Sequence, residues 1–470
     1  MKILLINPAI SNVYGGLPPS VQIPLGLAYI AAVIEKEGYP VEIVDVEAEG
    51  ITPQKLLEKI FDFKPSIVGF TCTTPTFKSA IETATLIKKK FPGIKTIFGG
   101  IHPTVALYET IQSEIVDFVV KGEGEITAVE LLSAIKGTIP FSKVKGISYK
   151  YNGNIVINSD RDLIENLDEL PFPARHLFMK QSYTYPDSLS KNTFPMITSR
   201  GCPGRCTFCN TCNIFGHHFR ARSSKNVVDE IEFLINTFNA REIHIWDDNF
   251  VTIKKRIFEI RDLLKKRNIK VRFAFPNGLR ADFLSYEILT VLKDMGTYSI
   301  AIGVESGNQG VLDRAKKGIK LDKIRDSFRY AKEIGLETWA FFMFGLPGET
   351  CKSVSESIKF AAELDPDVAK FHILKPYPGT EVYEELKGHG LITSFDYSNF
   401  GIHAPPVHKL PGLDDKYLLE MQKYAYRKFY LRPKKIIQQV TRLKSFYRIK
   451  LNILVAVALL KKMFIRNHRE

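Results

Sequence analysis

A chain of 470 residues is too long for one ordinary hydrophobic core and calls for two or three domains. Its 45% hydrophobic and 25% charged composition is that of a soluble globular protein. The net charge of +14 sits in the tail: Arg427 to Glu470 hold 13 Lys/Arg against one acidic residue, while the preceding residues carry 52 basic and 50 acidic groups, a balance that gives the body no reason to bind nucleic acid.

The N-terminal run Met1-Lys-Ile-Leu-Leu-Ile-Asn-Pro is too short for a signal peptide and lacks a small-residue cleavage site, so it reads as a first buried strand. Residues 1–140 alternate short apolar runs with helical patterns. Strands are expected at Lys2–Asn7, Pro40–Asp45, Ser66–Thr71, Thr96–Gly99 and Phe118–Lys121. Helices are expected at Leu25–Glu37, Thr52–Phe61, Thr76–Lys90 and Glu125–Ile135. This is an α/β pattern: a doubly wound parallel sheet covered on both faces, binding its ligand beyond the carboxyl ends of the strands. The loops there are rich in glycine, threonine and small residues, so a large planar ligand can approach the backbone.

Residues 141–190 read as a hairpin turning at Asn152-Gly153-Asn154, followed by a proline-set linker at Leu170-Pro-Phe-Pro-Ala-Arg. From 191 to 400 the alternation resumes, with strands expected at Met196–Thr198, Glu242–Trp246, Arg272–Phe275, Tyr298–Val304, Thr338–Phe344 and Ala369–Leu374. Residues 401–470 form a basic, helical C-terminal extension. Its eight-residue apolar run Ile453–Leu460 is short of the roughly 20 residues that span a bilayer. Such a segment suits either peripheral contact with an anionic membrane or a helical pair packed on the body.

Of the six cysteines, Cys202, Cys206, Cys209 and Cys212 fall within eleven positions, a metal-site distribution and not a disulfide framework. A thiolate cluster also favours a reducing cytoplasm. The spacing of the first three is C-x3-C-x2-C. Three thiolates are one short of closing a [4Fe–4S] site and leave one iron open. Counting Cys212, the run would instead close a four-cysteine iron–sulfur or zinc site.

The run Ser199-Arg-Gly-Cys-Pro-Gly-Arg-Cys-Thr-Phe-Cys, with Phe208 before the last cysteine, resembles the radical S-adenosylmethionine (SAM) family. The resemblance implies that Cys202, Cys206 and Cys209 hold the [4Fe–4S] cluster and that its open iron binds SAM. An electron then cleaves SAM to methionine and a 5′-deoxyadenosyl radical. The six βα units match that family's partial (β/α)6 TIM-type barrel, where chemistry sits at the C-terminal strand ends. Polar motifs fall there. Asp247 and Asp248 are the implied partners of the SAM amino group. Arg280 is suited to the SAM carboxylate or to an ion pair with Asp282. Glu305 and Ser306 match the segment near the ribose and carboxylate. Cys212 is then a nearby free thiol.

Residues 1–140 are similar to the cobalamin-binding domains fused to many such enzymes, through Asp45-Val-Glu-Ala-Glu-Gly50, Thr71-Cys-Thr-Thr-Pro and Gly99-Gly100-Ile-His102-Pro. The implied contacts are Asp45, Glu47, Gly50, Thr71, Thr73, Gly99 and Gly100. Where relatives use D-x-H-x-x-G to ligate cobalt, Glu47 stands at the histidine position. A carboxylate replaces imidazole poorly at cobalt, so bound cobalamin is expected to lack a histidine lower ligand. The alternative is a flavodoxin-like domain without the cofactor.

The expected function is that of a cobalamin-dependent radical SAM enzyme methylating an unactivated carbon. Radical cyclisation or rearrangement is the alternative within the family, and a four-cysteine electron-transfer or zinc protein the alternative outside it. The expected partners are a small-molecule or lipid substrate and an electron donor such as a flavodoxin or ferredoxin.

Overall fold

The computed structural model describes residues 1–10, 21–181, 183–185 and 187–441. The apolar runs of the first third form strands β1 (Ile3–Asn7), β2 (Val41–Asp45), β3 (Ile67–Thr71), β4 (Lys95–Gly99) and β5 (Phe118–Val120), all parallel. The order β2-β1-β3-β4-β5 reverses direction between β1 and β3. That reversal places helices on both faces and opens a crevice at the strand ends. Local signals set the intervening helices. In Pro53–Phe63, for example, Thr52 accepts from Lys55 N and a proline opens the first turn.

The hairpin of β6 (Ile147–Tyr151) and β7 (Asn154–Ile157) turns at Asn152 and Gly153, both with positive φ. It does not stand in a linker, as its position in the sequence suggested. It pairs antiparallel with β5 and completes a seven-stranded sheet, so the first unit extends past residue 140 to Ile157. The physical reason is an edge: β5 would otherwise offer unpaired backbone groups.

The second half contains β8 (Thr193–Met196), the short pair β9 (Ser199–Arg200) and β10 (Arg220–Ala221), then β11 (Glu242–Ile245), β12 (Arg272–Leu279), β13 (Thr297–Glu305), β14 (Glu337–Phe344) and β15 (Val368–Ile373). Six of these form one parallel sheet in chain order, β8 to β11 through β15. With no reversal, every helical crossover falls on one face, and the other face becomes the inner wall of a partial barrel. The burial alternation of β14 and β15 shows this. Ala340, Phe342, Phe344 and Phe371 are buried on the outer, helix-covered face, while Trp339, Phe341, Lys370 and His372 keep accessible surface on the inner one.

The halves share one apolar core running from Ile3 and Leu5 through Ala174 and Phe178 to Phe194 and Met196. A buried ion cluster reinforces it: Glu230 pairs with Arg175 at 2.6 Å and with Arg222. The helix Asp415–Tyr430 packs on β15, with Gln422 donating to the Phe371 carbonyl at 2.7 Å. In Pro433–Thr441, Lys434 and Lys435 both pair with Asp365 at 2.9 Å, so the start of the extension lies against the barrel. The basic and apolar segment considered above for membrane contact lies outside the described residues. Among the described residues, no helix is long and apolar enough to cross a membrane.

Candidate active site

The cysteine loop leaves β9 through Gly201, whose φ is +88° and where an added Cβ would lie 2.0 Å from the His218 carbonyl oxygen, so only glycine fits. Two acids at the end of β11 anchor the loop. Asp247 accepts from Thr198 N, Thr198 Oγ1 and Ser199 Oγ, each at 2.5 Å. Asp248 accepts from Gly201 N at 2.9 Å and Thr211 Oγ1 at 3.2 Å, bracing the loop on both sides of the cysteines.

Within the loop, Gly204 N lies 3.4 Å from Cys202 Sγ, and the Cys209 thiol faces Thr211 Oγ1 at 3.2 Å. Burial pushes the Cys206 thiol up to about 11, opposed by the nearby Lys317 ammonium. Burial also raises Cys202, opposed by the Gly204 N–H and the Arg280 charge. Cys202 and Cys206 both lie within electrostatic range of Cys209 and of Arg280. Cys212 Sγ lies 3.5 Å from the Cys209 carbonyl in the first turn of Thr211–Phe215. Among the described residues, no three Cys, His, Asp or Glu side chains converge tightly enough to hold one metal ion. A zinc site needs its thiolate donors about 2.3 Å from a common point. An iron–sulfur cluster spreads its ligands over separate irons.

The other strand-end residues divide into those already occupied and those with free valences. Phe208 is half-buried and packs against the shared core. Ser306 is fully buried, with its hydroxyl 3.1 Å from Ser357 Oγ and accepting from Asn308 N. Ser306 and Asp247, both expected from sequence beside SAM, also serve the fold, through backbone and hydroxyl groups of neighbouring loops. Arg280 does pair with Asp282, at 3.2 and 3.0 Å, and donates to the Lys317 carbonyl at 3.0 Å. Its Nη1 is left over the cysteine loop, 2.8 Å from where a Cβ on Gly204 would stand. Glu305, held at φ +63°, takes Lys317 Nζ on Oε1 at 2.7 Å and keeps Oε2 free of hydrogen bonds among the described residues.

After β14, Glu349 Oε2 accepts from Gly345 N at 2.6 Å, while its buried Oε1 has no hydrogen-bond partner among the described residues. Burial pushes this carboxyl up to about 8 against hydrogen bonds from Gly345 and Leu346. A folded-state value above the unfolded one means that the proton stabilises the fold. That stability is complete below the ordinary carboxylate range and is lost as pH rises through about 8. Glu349→Gln keeps an acceptor for Gly345 and removes the slope, which approaches ~1.4 kcal/mol per pH unit. Thermal unfolding between about pH 5 and 9 should show Tm falling with pH in the wild type and staying flatter in the variant.

Between the halves lies a cavity of about 370 Å³. Its first wall is the strand-end backbone of β3 to β5, including Thr71, Gly99, Gly100 and Gly124; its second includes Arg200, Trp246 and Asp248. From the strand ends it continues beneath the sheet along apolar side chains of β1 and the helices Leu25–Lys36 and Gly124–Ile135. Of the cobalamin contacts expected from sequence, Thr71, Gly99 and Gly100 line it. Asp45, Glu47, Gly50 and Thr73 are not among its lining residues. Asp45 caps the single-turn helix Val46–Glu49 that Gly50 closes in the left-handed region, Glu47 accepts from Ile10 N at 3.1 Å, and Thr73 shares a capping box with Thr76.

The sequence reading did not pick out the charged clamp at the cavity wall. Arg200 donates to Glu123 at 2.7 Å and to Glu125 at 2.5 Å, and Arg220 donates to Glu123 at 2.8 Å. Lys317 went unnoticed too: its partner Glu305 is 12 residues away, a spacing that matches no helix or strand period.

Two family models match the chain: the B12 binding domain over residues 12–132 and the radical SAM superfamily over residues 196–361. An uncharacterized methyltransferase of Pyrococcus horikoshii is 33% identical over 445 residues, covering 94% of this chain and 95% of that protein. An anaerobic magnesium-protoporphyrin IX monomethyl ester cyclase of Rubrivivax gelatinosus is 28% identical over 442 residues, covering 92% and 78%. The solved structure of the cobalamin-dependent S-adenosylmethionine radical enzyme OxsB matches with a TM-score of 0.75 at 18% identity, covering 98% of this chain and 72% of that one, a likeness of fold.

Proposed function

Because this chain belongs to the family of cobalamin-dependent radical SAM enzymes, we propose that it transfers a methyl group to an unactivated carbon of a small-molecule substrate. The observation that carries this reading is the shared cavity. The strand ends of the first half and residues on either side of the cysteine loop, Arg200 and Phe215, open onto the same space.

Cys202, Cys206 and Cys209 would hold a [4Fe–4S] cluster, and Cys212, whose thiol faces the Cys209 carbonyl, would stand aside. When bound, the cluster supplies the electron that splits SAM into methionine and a 5′-deoxyadenosyl radical, and cobalamin supplies a methyl carrier. The protein's own part is positional and electrostatic. Arg280 and Lys317 set two cations beside the thiols and offset the negative charge that ligation creates. Arg280 Nη1 and Glu305 Oε2 keep free valences for the carboxylate and for the ammonium or ribose hydroxyls of SAM. Asp248 fixes the loop and keeps acceptor lone pairs of its own. On the opposite wall, glycines present bare backbone, which suits a flat corrin, and the apolar recess beneath suits an apolar appendage of it.

The electron must come from outside the chain, from a donor of the flavodoxin or ferredoxin class. Methylation is favoured over cyclisation because the 33% identical relative, matched along 94% of this chain, is named a methyltransferase. The experiment is anaerobic turnover with SAM labelled in its methyl group, in protein made with ample cobalamin. The expected result is one metabolite that gains the label. A protein that retains no corrinoid, or a ring-closed product without label, overturns methyl transfer.

A further inference from the structure

Lys370 is the one inner-wall residue of β14 and β15 whose charge the fold leaves unanswered among the described residues. It stands opposite Phe341 in the β14–β15 register, and Phe341 stands opposite Gly303 of β13. Its Nζ lies 4.7 Å from the centroid of the Trp339 ring and 5.5 Å from that of Phe341. No hydrogen bond or ion pair reaches it from any described residue. Burial lowers its affinity for a proton, and the charge of Asp187 offsets that only in part. Two inner-wall acids are engaged elsewhere: Glu242 takes the Tyr298 hydroxyl at 2.5 Å, His244 at 2.7 Å and Leu189 N at 3.0 Å, and Glu337 accepts from Trp339 Nε1 at 2.9 Å. Two aromatic faces return only part of what an ammonium loses on leaving water.

Beside the Phe341 ring the wall is bare at Gly278 of β12, where a Cβ would lie 3.7 Å from the ring, while Gly303 of β13 leaves its place to Glu305 Oε1 and Lys317 Nζ, which a Cβ there would meet at 2.7 and 3.0 Å. Phe341, Met343 and His372 keep accessible surface on the same wall.

We infer that Lys370 binds an oxyanion of the substrate, a carboxylate or a phosphorus oxyacid, while Trp339 and Phe341 hold an apolar or planar body beside it. The substrate class is therefore an anionic molecule and not a neutral lipid or isoprenoid. The identification of the ligand as substrate rests on the proposed function; the oxyanion site itself does not.

The test is calorimetric titration of the holoenzyme with phenylphosphonate, inorganic phosphate and benzyl alcohol, in the wild type, Lys370→Met and Lys370→Arg. Phenylphosphonate should bind the wild type best, phosphate more weakly and benzyl alcohol weakest. Lys370→Met should weaken phenylphosphonate about ten-fold or more, the loss of a charge-assisted hydrogen bond, and leave benzyl alcohol unmoved. Lys370→Arg should recover most of the affinity. Removing a charge that lacks an ion-pair partner should leave Tm unchanged or raise it. Equal binding of phenylphosphonate and benzyl alcohol, no binding of either, or insensitivity to Lys370→Met overturns the inference. So does a fall in Tm of several degrees, which would make Lys370 structural. A protein that binds phenylphosphonate but never cleaves SAM overturns the proposed function and leaves the oxyanion site standing.

Discussion

Replacing Cys202, Cys206 or Cys209 by alanine is expected to reduce SAM cleavage to background and to cut bound iron from about four per chain to a small residue. Cys212→Ala is expected to leave both unchanged. The contrast follows from placement. Asp247 and Asp248 tie down the segment from Thr198 to Thr211, so the first three thiols are presented from an anchored loop beside Arg280 and Lys317. Cys212 lies beyond that anchor and faces the Cys209 carbonyl. Iron and sulfide analysis with quantified 5′-deoxyadenosine checks it. A Cys212 variant that loses iron along with the others would make the site a four-cysteine one and remove the open iron on which the reading depends.

Glu123→Ala is expected to cost ~3–5 kcal/mol, because it leaves the buried Arg220 with no carboxylate and Arg200 with Glu125 alone. Glu123 is 7% exposed and also accepts from Ile164 N at 2.8 Å, so its removal frees a buried donor as well. The pH dependence runs opposite to that of Glu349. Burial raises the Glu123 carboxyl, but the Arg220 hydrogen bond and the Arg200 charge outweigh it and leave it below the usual range. Its contribution is therefore present above the ordinary carboxylate range and is lost as pH falls through the depressed folded-state value. Thermal unfolding of Glu123→Gln should show less acid sensitivity than the wild type, from a lower starting Tm. Because Glu123 and Arg200 line the cavity, the variant should also yield less product per SAM cleaved. An unchanged ratio would reduce the clamp to a structural role.

Much of the fold could be read in advance because its signals are local. A period of two in Glu337–Phe344 separates the inner from the outer wall, Asn152-Gly153 sets a hairpin, and Thr52-Pro53 starts a helix. The cysteine spacing is local too, and so was the reading of the open iron. What local signals do not carry is how far the fold engages individual side chains. Asp247 and Ser306 carry suitable groups at suitable strand ends, yet their partners, Thr198 and Ser357, lie 49 and 51 residues away. Asp45 and Glu47 sit in a stretch that resembles a cofactor motif, but a four-residue helix and the backbone of Ile10 claim their carboxylates.

The sequence by itself determined the element order, the two-half organisation and the three-thiol loop, since each depends on residues a few positions apart. The tertiary structure decided which polar groups are spent and which remain. Arg200 and Glu123, 77 residues apart, become a clamp. Among the described residues, Arg280 keeps one nitrogen without a hydrogen bond over the thiols, and Lys370 is left as a charge without an ion pair beside aromatic rings. A buried charge is paid for by whatever the fold brings within about 3 Å of it, and no spacing along the chain records that distance.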